Sequence, residues 1–327
     1  MSSKKKRIHF LLVGLIWFLV FLTATGLLAA VAVNIGAPSV SQSPANDISG
    51  PAAPPTGDLP PPAATNTTGP AIIHLLGTPF APIYTPTGYP TPVGFSGGPI
   101  VIGYSVLGRP IEVFRFGTGP RQYMIIGGIH GGYEVNTVKL TDALIAHISQ
   151  NHDLIPSDVT LFILRAFNPD GLQLPYEVEG RANANNVDLN RNFPIDWHAE
   201  WPRQGCWNYL PTTAGGGPAS EPETQALMTF IMYNPVIALI SYHAAAPGFY
   251  PAGDPPFPSS DRLSRTLSQA SGYPYPAVDV GCHMTGSLVD WVASTGAAAA
   301  DLELTDYWEI DWDRNLRLLP ALLNWLP

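Results

Sequence analysis

Histidine and glutamate, two good ligands of Zn²⁺, stand four positions apart as His130 and Glu134. They lie in a glycine-rich stretch after an apolar segment, which predicts a turn that follows a strand. A second histidine, His243, follows another apolar segment. Two histidines and one glutamate can bind a catalytic zinc ion and leave one coordination position open for water. These three residues are therefore candidate zinc ligands.

Other polar residues that follow predicted strands could complete a hydrolytic site. Glu303 stands at the end of the last apolar segment, where its carboxylate could take a proton from water. Arg181 or Arg191 could stabilise the negative charge of a tetrahedral intermediate. Because ligand sites of open α/β sheets gather at the carboxyl ends of the strands, we expect these side chains to lie close together.

Strand and helix patterns that could position these residues alternate from residue 100 onward. β-Branched and aromatic residues predict strands at 101–104, 111–116, 123–127, 159–166, 236–242 and 298–304. Apolar residues at helical spacing predict helices at 135–148, 222–232, 261–270, 287–294 and 312–325. The order predicts an α/β domain over residues 100–327, with a mostly parallel or mixed central sheet and helices on both faces.

The first 36 residues have the character of a membrane anchor. Lys4, Lys5, Lys6 and Arg7 precede an uncharged apolar run from Phe10 to Val33, which exceeds the roughly 20 residues that span a bilayer. The basic cluster predicts a cytoplasmic N-terminus. We expect a single-pass protein of the cell membrane with an extracytoplasmic catalytic domain. The alternative is a secreted protein whose signal peptide is cleaved near residues 30–32.

Residues 37–99 are rich in Pro, Ala, Thr, Gly and Ser, a composition that predicts a disordered linker. Beyond residue 46 the chain carries 12 basic residues against 25 acidic ones, a net charge of −13. This charge excludes a nucleic-acid-binding surface. Cys206 and Cys282 are the only cysteines. In an oxidising compartment they are expected to form a disulfide, with two free thiols as the alternative.

Seven motifs between about Gly103 and Thr305 resemble those of the funnelin-type zinc carboxypeptidases, the family of carboxypeptidase A and of bacterial murein-peptide amidases. The motifs occur in the family's order over about 200 residues. They are Gly103-Tyr104-Ser105 with Gly108-Arg109-Pro110, the turn from His130 to Glu134, Asn168-Pro169-Asp170-Gly171, the segment from Arg181 to Phe193, Ser220-Glu221-Pro222-Glu223, Ser241-Tyr242-His243, and Glu303-Leu304-Thr305. The resemblance implies a zinc-carboxypeptidase-like fold.

The resemblance also implies roles for the residues around the metal. His130, Glu134 and His243 would bind one Zn²⁺ per chain, and Glu303 would be the general base that acts on water. Asp188 would accept a hydrogen bond from the first zinc histidine and so fix the orientation of its ring. One departure from the family concerns spacing, since the family has His-x-x-Glu and this chain has one residue more between the two ligands.

Further residues are implied to hold the substrate. Arg181 would polarise the scissile carbonyl, and Asn190 and Arg191 would hold a C-terminal carboxylate. The side chain next to that carboxylate would meet Leu288 or Asp290, depending on an alignment that is uncertain by one residue. Leu288 would favour apolar C-terminal residues and Asp290 basic ones. A second departure is that the family's mobile tyrosine has no counterpart in the region around His283.

Together these features predict an extracytoplasmic zinc metallocarboxypeptidase that uses a zinc-activated water to hydrolyse the C-terminal bond of peptides. We expect a monomer whose substrate carries a free C-terminal carboxylate. An alternative is an amidase that acts on cell-wall peptides of the γ-glutamyl-diaminopimelate type. A third possibility, of another class, is a catalytically silent module that binds peptides or wall fragments. The presence of the ligand, base and arginine residues argues against silence.

Overall fold

A computed structural model describes residues 98–174, 178–203, 206 and 212–327 of the chain. The predicted anchor or signal peptide at 1–36 and nearly all of the predicted linker at 37–99 lie outside the described residues. Within the described residues, no helix is both long enough and apolar enough to cross a membrane.

Strands and helices alternate along the described part of the chain, as their sequence patterns predict. The strands are β1 Ile100–Tyr104, β2 Pro110–Gly117, β3 Arg121–Ile126, β4 Val159–Leu164, β5 Ala238–Ala244, β6 Gly248–Pro251 and β7 Ala298–Leu304. The α-helices are α1 Val135–Gln150, α2 Pro222–Tyr233, α3 Pro258–Ser271, α4 Leu288–Ser294 and α5 Trp312–Leu323. Short 3-10 turns at Val178–Arg181 and Leu189–Arg191 carry the two arginines of the candidate site.

The seven strands form one mixed sheet in the order β1-β2-β4-β3-β5-β7-β6. Its centre is parallel, since β3 pairs in parallel with both β4 and β5, and β5 with β7. The outer pairs β1-β2, β2-β4 and β6-β7 are antiparallel. Every residue of β4 and β5 is buried, as expected for central strands covered on both faces.

Alternation along the central strands divides the core into two layers. Tyr123 and Ile125 of β3 pack in one cluster with residues of α1, α3 and α5. Met124 and Ile126 pack in the other with residues of α2 and α4. Because successive side chains of a strand point to opposite faces, the helices lie on both faces of the sheet, as predicted.

The short strand β6 is the one strand of the described chain that the sequence patterns do not predict. It holds four residues and pairs with β7 in register Gly248 to Glu303 and Tyr250 to Asp301. This strand begins with glycine and ends with proline. Both residues are depleted in strands, so its sequence does not show a strand pattern. By pairing with β7, it forms the edge of the sheet beside Glu303.

Candidate active site

The carboxyl ends of the parallel strands bring the predicted residues to one edge of the sheet. The stretch with His130 and Glu134 follows β3, which ends at Ile126. His243 is the sixth residue of β5 and pairs in register with Glu303 of β7. His243 thus lies inside its strand, whereas the sequence predicts it just after the strand. The gathering of these side chains at one edge is confirmed.

A tight glycine turn accommodates the extra residue between His130 and Glu134. Gly131 has a φ of +46°, in the left-handed region that favours glycine. A Cβ at Gly132 would lie 2.1 Å from the carbonyl oxygen of Leu174, so a larger residue does not fit there. The N–H of Tyr133 donates to the carbonyl of His130. As a result, Nδ1 of His130 and Oε1 of Glu134 come within 2.8 Å of each other.

His243 completes a buried group of three metal-binding side chains. Its Nδ1 lies 3.3 Å from Nδ1 of His130 and 3.4 Å from Oε2 of Glu134. One ligand atom from each residue lies within 4.8 Å of the other two. Oε2 of Glu134 is buried without a hydrogen-bond partner. Buried polar groups without partners cost free energy, which a cation bound among them removes. Two nitrogens and a carboxylate oxygen fit Zn²⁺ with an open position.

A carboxylate lies beside the far ring nitrogen of each histidine. Nε2 of His130 is 3.2 Å from Oδ1 of Asp188, and Nε2 of His243 is 3.2 Å from Oδ1 of Asp301. Such carboxylates orient the rings, so that each Nδ1 faces the metal site. Asp188 is placed where the resemblance implies. Asp301 is not predicted, although it stands two residues before Glu303 and therefore on the same face of β7.

Arg181 lies directly against the ligand group. Its Nε donates to Oδ2 of Asp188 at 3.1 Å, and its Nη1 donates to Oε1 of Glu134 at 3.3 Å. Burial alone would lower the pKa of Arg181, but the charges of Asp188 and Glu134 raise it above its ordinary value. The arginine therefore stays charged beside the ligand group.

Arg191 is a buried guanidinium that no carboxylate of the described residues contacts by a hydrogen bond. Its Nη1 donates to the carbonyl of Asn190 at 2.8 Å, and its Nη2 lies 3.7 Å from Sγ of Cys282. Its Nε is buried without a hydrogen-bond partner. Asn190 is held beside it, since Oδ1 of Asn190 accepts from the N–H of Leu288. Both side chains line the cleft, so Arg191 can receive a carboxylate from a ligand.

Glu303 faces the same cleft from the end of β7. Its Oε2 accepts a hydrogen bond from the N–H of Ala246 at 3.2 Å. Loss of solvent raises the pKa of Glu303 to about 7, and the Glu134 carboxylate adds to the rise against the opposing effect of His243. A carboxylate with a pKa near neutrality is suited to accept and return a proton at physiological pH.

One cleft of about 870 Å³ contains most of the predicted site residues. They are His130, Glu134, Arg181, Asn190, Arg191, Cys206, His243, Cys282, His283, Asp290 and Glu303. Tyr250, Tyr275 and Tyr307 also line it. Each brings an aromatic hydroxyl group to the cleft, whereas the region around His283 has no counterpart of the family's mobile tyrosine.

The structure does not support the prediction that Leu288 contacts the substrate. Its side chain has no exposed surface and packs in the core cluster with Phe193 and Trp291. Leu288 therefore does not line the cleft. Asp290 does line the cleft, and its Oδ1 accepts a hydrogen bond from the N–H of Gly253 at 2.7 Å. Of the two alternatives left by the sequence, Asp290 is the one that lines the cleft.

The two cysteines form a disulfide at the wall of the cleft. Cys206 and Cys282 are joined with an S–S distance of 2.00 Å and a Cα–Cα distance of 4.6 Å. The bond links the segment after Trp201 to the segment before α4. Because Sγ of Cys282 lies 3.7 Å from Nη2 of Arg191, the disulfide also borders the Arg191 guanidinium.

Comparisons with known proteins agree with this site. The family described as zinc carboxypeptidase matches residues 99–307. Murein peptide amidase A of Escherichia coli K12 is 33% identical over 198 residues, which cover 58% of this chain and 74% of that protein. The crystal structure of murein-tripeptide amidase from Escherichia coli O157 has a TM-score of 0.54 at 27% identity, over 71% of this chain and 94% of that chain.

A more distant solved structure shares the fold. Bovine thrombin-activatable fibrinolysis inhibitor, solved in complex with tick carboxypeptidase inhibitor, has a TM-score of 0.54 at 19% identity. The likeness covers 69% of this chain and 86% of that chain. With the family match over most of the described chain and the His130, Glu134 and His243 group that fits its metal, the chain belongs to the zinc carboxypeptidase family of hydrolases and uses Zn²⁺ as its cofactor.

Proposed function

We propose that this protein is a zinc carboxypeptidase that removes the C-terminal residue of peptides. The observation that carries the proposal is the pairing of two features in one cleft. The first is the ligand group of His130, Glu134 and His243. The second is the buried Arg191, whose Nε has no partner. A planar guanidinium binds carboxylates with two parallel hydrogen bonds. A free C-terminus held there places the last peptide bond near the metal ligands.

Different residues carry out metal binding, proton transfer and stabilisation of the carbonyl oxygen. His130, Glu134 and His243 hold Zn²⁺, which when bound polarises a carbonyl and makes water a stronger acid. Glu303 accepts a proton from the attacking water and returns a proton to the leaving amine. Arg181 donates hydrogen bonds to the carbonyl oxygen as that oxygen becomes negative.

The rest of the site keeps these groups in place. Asp188 and Asp301 orient the two histidine rings, and Asp188 also holds Arg181 by a hydrogen bond from its Nε. Asn190 and Arg191 fix the C-terminal carboxylate, which sets the register of the peptide in the cleft. Because the reacting groups are already oriented in the folded chain, little reorganisation is needed during the reaction.

A cell-wall amidase is the second candidate function. It is favoured by the similarity to murein peptide amidase A, since the matched region covers 74% of that protein. A γ-glutamyl-diaminopimelate stem also ends in free carboxylates, so the same arginine could hold it. Both candidates hydrolyse an amide bond next to a carboxylate. They differ in the residue on the amino side of that bond.

We further propose that the catalytic domain works outside the cytoplasm, tethered by the N-terminal segment. The Cys206–Cys282 disulfide supports an oxidising compartment, because stable disulfides are rare in reducing cytosol. The apolar run from Phe10 to Val33 supports a tether or an export signal. Fractionation of cells that produce the full chain tests this point. Recovery of the protein in the soluble cytoplasmic fraction with both thiols reduced would rule it out.

A panel of matched peptides tests the catalytic proposal. The zinc-loaded protein is incubated with a peptide that has a free C-terminus, the same peptide amidated at its C-terminus, and a γ-glutamyl-diaminopimelate stem. We expect release of the last residue from free termini and little release from the amidated peptide. Arg191→Gln should raise KM, while Arg265→Gln, at an exposed pair on α3, should leave KM unchanged. Equal cleavage of free and amidated peptides would contradict the proposal.

A further inference from the structure

The Arg191 guanidinium has few hydrogen bonds to fix its orientation. Within the described residues, its one hydrogen bond to an oxygen runs from Nη1 to the carbonyl of Asn190. Its Nε has no hydrogen-bond partner there. A guanidinium binds a carboxylate by two parallel hydrogen bonds, which requires its plane to be held at a suitable angle. Another contact must therefore set the orientation of this side chain.

The indole ring of Trp201 supplies such a contact. Cζ of Arg191 lies over this ring at 5.6 Å from its centroid, which is within the roughly 6 Å reach of a cation–π interaction. Burying a cation costs free energy, and the attraction to an aromatic face is strongest where water is excluded. The ring therefore stabilises the buried guanidinium of Arg191 at the wall of the cleft.

The surroundings of Trp201 indicate that its ring acts through its face. The residue is 6% exposed, but within the described part of the chain it belongs to neither of the two core clusters. Its Nε1 is buried without a hydrogen-bond partner among the described residues, although the N–H of a buried tryptophan usually has one. Core packing and hydrogen bonding thus do not account for this tryptophan, whereas its contact with Arg191 does.

Two further features hold the Trp201 ring. The guanidinium of Arg203 lies over the ring, with Cζ at 3.7 Å from the centroid. Nη2 of Arg203 also donates to the carbonyl of Thr212 at 2.7 Å. Further along the same segment, Cys206 is bonded to Cys282. The disulfide therefore ties the segment that carries Trp201 to the segment before α4.

We infer that Trp201 is a positioning residue of the active site, whose ring orients the Arg191 guanidinium to receive a carboxylate. Arg203 and the Cys206–Cys282 disulfide keep the ring in place. The inference rests on the proposed function, since it concerns the residue that would bind the C-terminal carboxylate. Trp201 is not one of the described residues that line the cleft, so it acts through Arg191 and not by contact with the substrate.

Two substitutions at Trp201 separate the aromatic face from the bulk of the side chain. Trp201→Leu removes the face and should raise KM for peptides with a free C-terminus by about 5- to 30-fold, the range of a desolvated cation–π contact. kcat should change little, because the zinc ligands and the base are untouched. Trp201→Phe keeps a ring and loses only an N–H without a partner, so its KM should stay near the original value. An unchanged KM in Trp201→Leu would overturn the inference.

Trp312→Leu is the matched control. Trp312 also contacts the ring of a basic residue, His147, with centroids 5.5 Å apart. It lies at the start of α5 and outside the cleft lining, so its loss should leave KM unchanged. Urea unfolding gives the stability of both leucine variants. A rise in KM of equal size in Trp312→Leu would indicate general destabilisation and refute the role of Trp201.

The disulfide provides a second way to release the ring. Cys206→Ala unties the segment but leaves Cys282 beside Arg191. It should raise KM as Trp201→Leu does. In the double variant the two effects should not add, because both act through the same contact. Fully additive effects would reject the claim that the disulfide acts by holding Trp201.

An equilibrium measurement separates this inference from the proposed function. Norleucine and norleucine amide are titrated into the zinc-loaded protein by calorimetry, and the ratio of their affinities reports the carboxylate contact. We expect Trp201→Leu to lower this ratio by about 5- to 30-fold. A lowered ratio in a protein that cleaves no peptide would support the inference, while the proposed carboxypeptidase function fails. Cleavage of free C-termini with the same ratio in both proteins would keep the function and reject the inference.

Discussion

Replacing Asp188 by asparagine should weaken zinc binding and the folded state together, because one buried carboxylate serves three site residues. Its Oδ1 lies 3.2 Å from Nε2 of His130 and accepts from the N–H of Asn190 at 3.0 Å. Its Oδ2 accepts from Nε of Arg181 at 3.1 Å. Burial alone would raise the pKa of Asp188, but Arg181 and His130 hold it well below its ordinary value. The native site therefore depends on the ionised form.

The size of the effect follows from these contacts. Asparagine keeps the shape but removes the charge, which leaves the buried Arg181 with one carboxylate partner fewer. Breaking a buried ion pair from one side costs about 3–5 kcal/mol of folding free energy. Loss of the carboxylate behind a metal-binding histidine lowers metal affinity by about 10- to 100-fold. Both losses should appear in Asp188→Asn.

Two assays measure these losses against a matched control. Titration with a competing chelator gives the zinc affinity, and urea unfolding of the zinc-loaded protein gives the stability. Asp142→Asn is the control, since it breaks the partly exposed pair with Arg165 and should cost at most about 1 kcal/mol without a change in zinc affinity. If Asp188→Asn binds zinc as tightly as the unchanged protein, the role given to Asp188 is wrong.

Three further predictions concern the base and the glycine turn. Glu303→Gln should keep its zinc and lower kcat by about 10²- to 10⁴-fold; a retained rate would refute its role as base. Because the base acts when deprotonated, kcat/KM should fall as the pH drops through the pKa of Glu303, which burial raises to about 7 and which a bound Zn²⁺ would lower. A flat profile from pH 8 to pH 5 would contradict this. Gly131→Ala should weaken zinc binding, because its Cβ would lie 2.6 Å from the carbonyl oxygen of Gly180. Gly272→Ala is the control: Gly272 also has a left-handed backbone conformation, but its Cβ would meet no atom within 4 Å. This variant should cost only about 1–2 kcal/mol of folding free energy. Equal zinc affinity in both glycine variants would show that the turn tolerates a side chain.

The sequence predicts the ligand group well because each residue is tied to a strong local pattern. His130, His243 and Glu303 each stand at or just after an apolar segment that becomes a central strand. Parallel strands bring their carboxyl ends to one edge, so proximity follows from the topology. The strand and helix bounds differ from the prediction by at most three residues, apart from the unpredicted β6. Because these strands are buried, their apolar residues form runs that are easy to recognise in the sequence.

The sequence could not show whether Leu288 or Asp290 faces the cleft, because the answer depends on how one short helix is rotated about its axis. Leu288 and Asp290 are both in the first turn of α4. Residues two apart on a helix point roughly 200° apart, so only one of them can face the cleft. The sequence does not fix where α4 begins to within one residue. The role of Asp301 was missed for another reason, since its contact with His243 joins two strands that are distant in sequence.

The most direct test of the account is a zinc titration of metal-free protein with release of the C-terminal residue as the readout. We expect activity to be absent without metal and to rise in proportion to added Zn²⁺ up to one equivalent per chain. His243→Ala should not regain activity at that ratio, because one of the three ligands is lost. Full activity in the presence of a strong chelator, or in the His243→Ala variant, would contradict the central claim that this group of residues performs zinc-dependent hydrolysis.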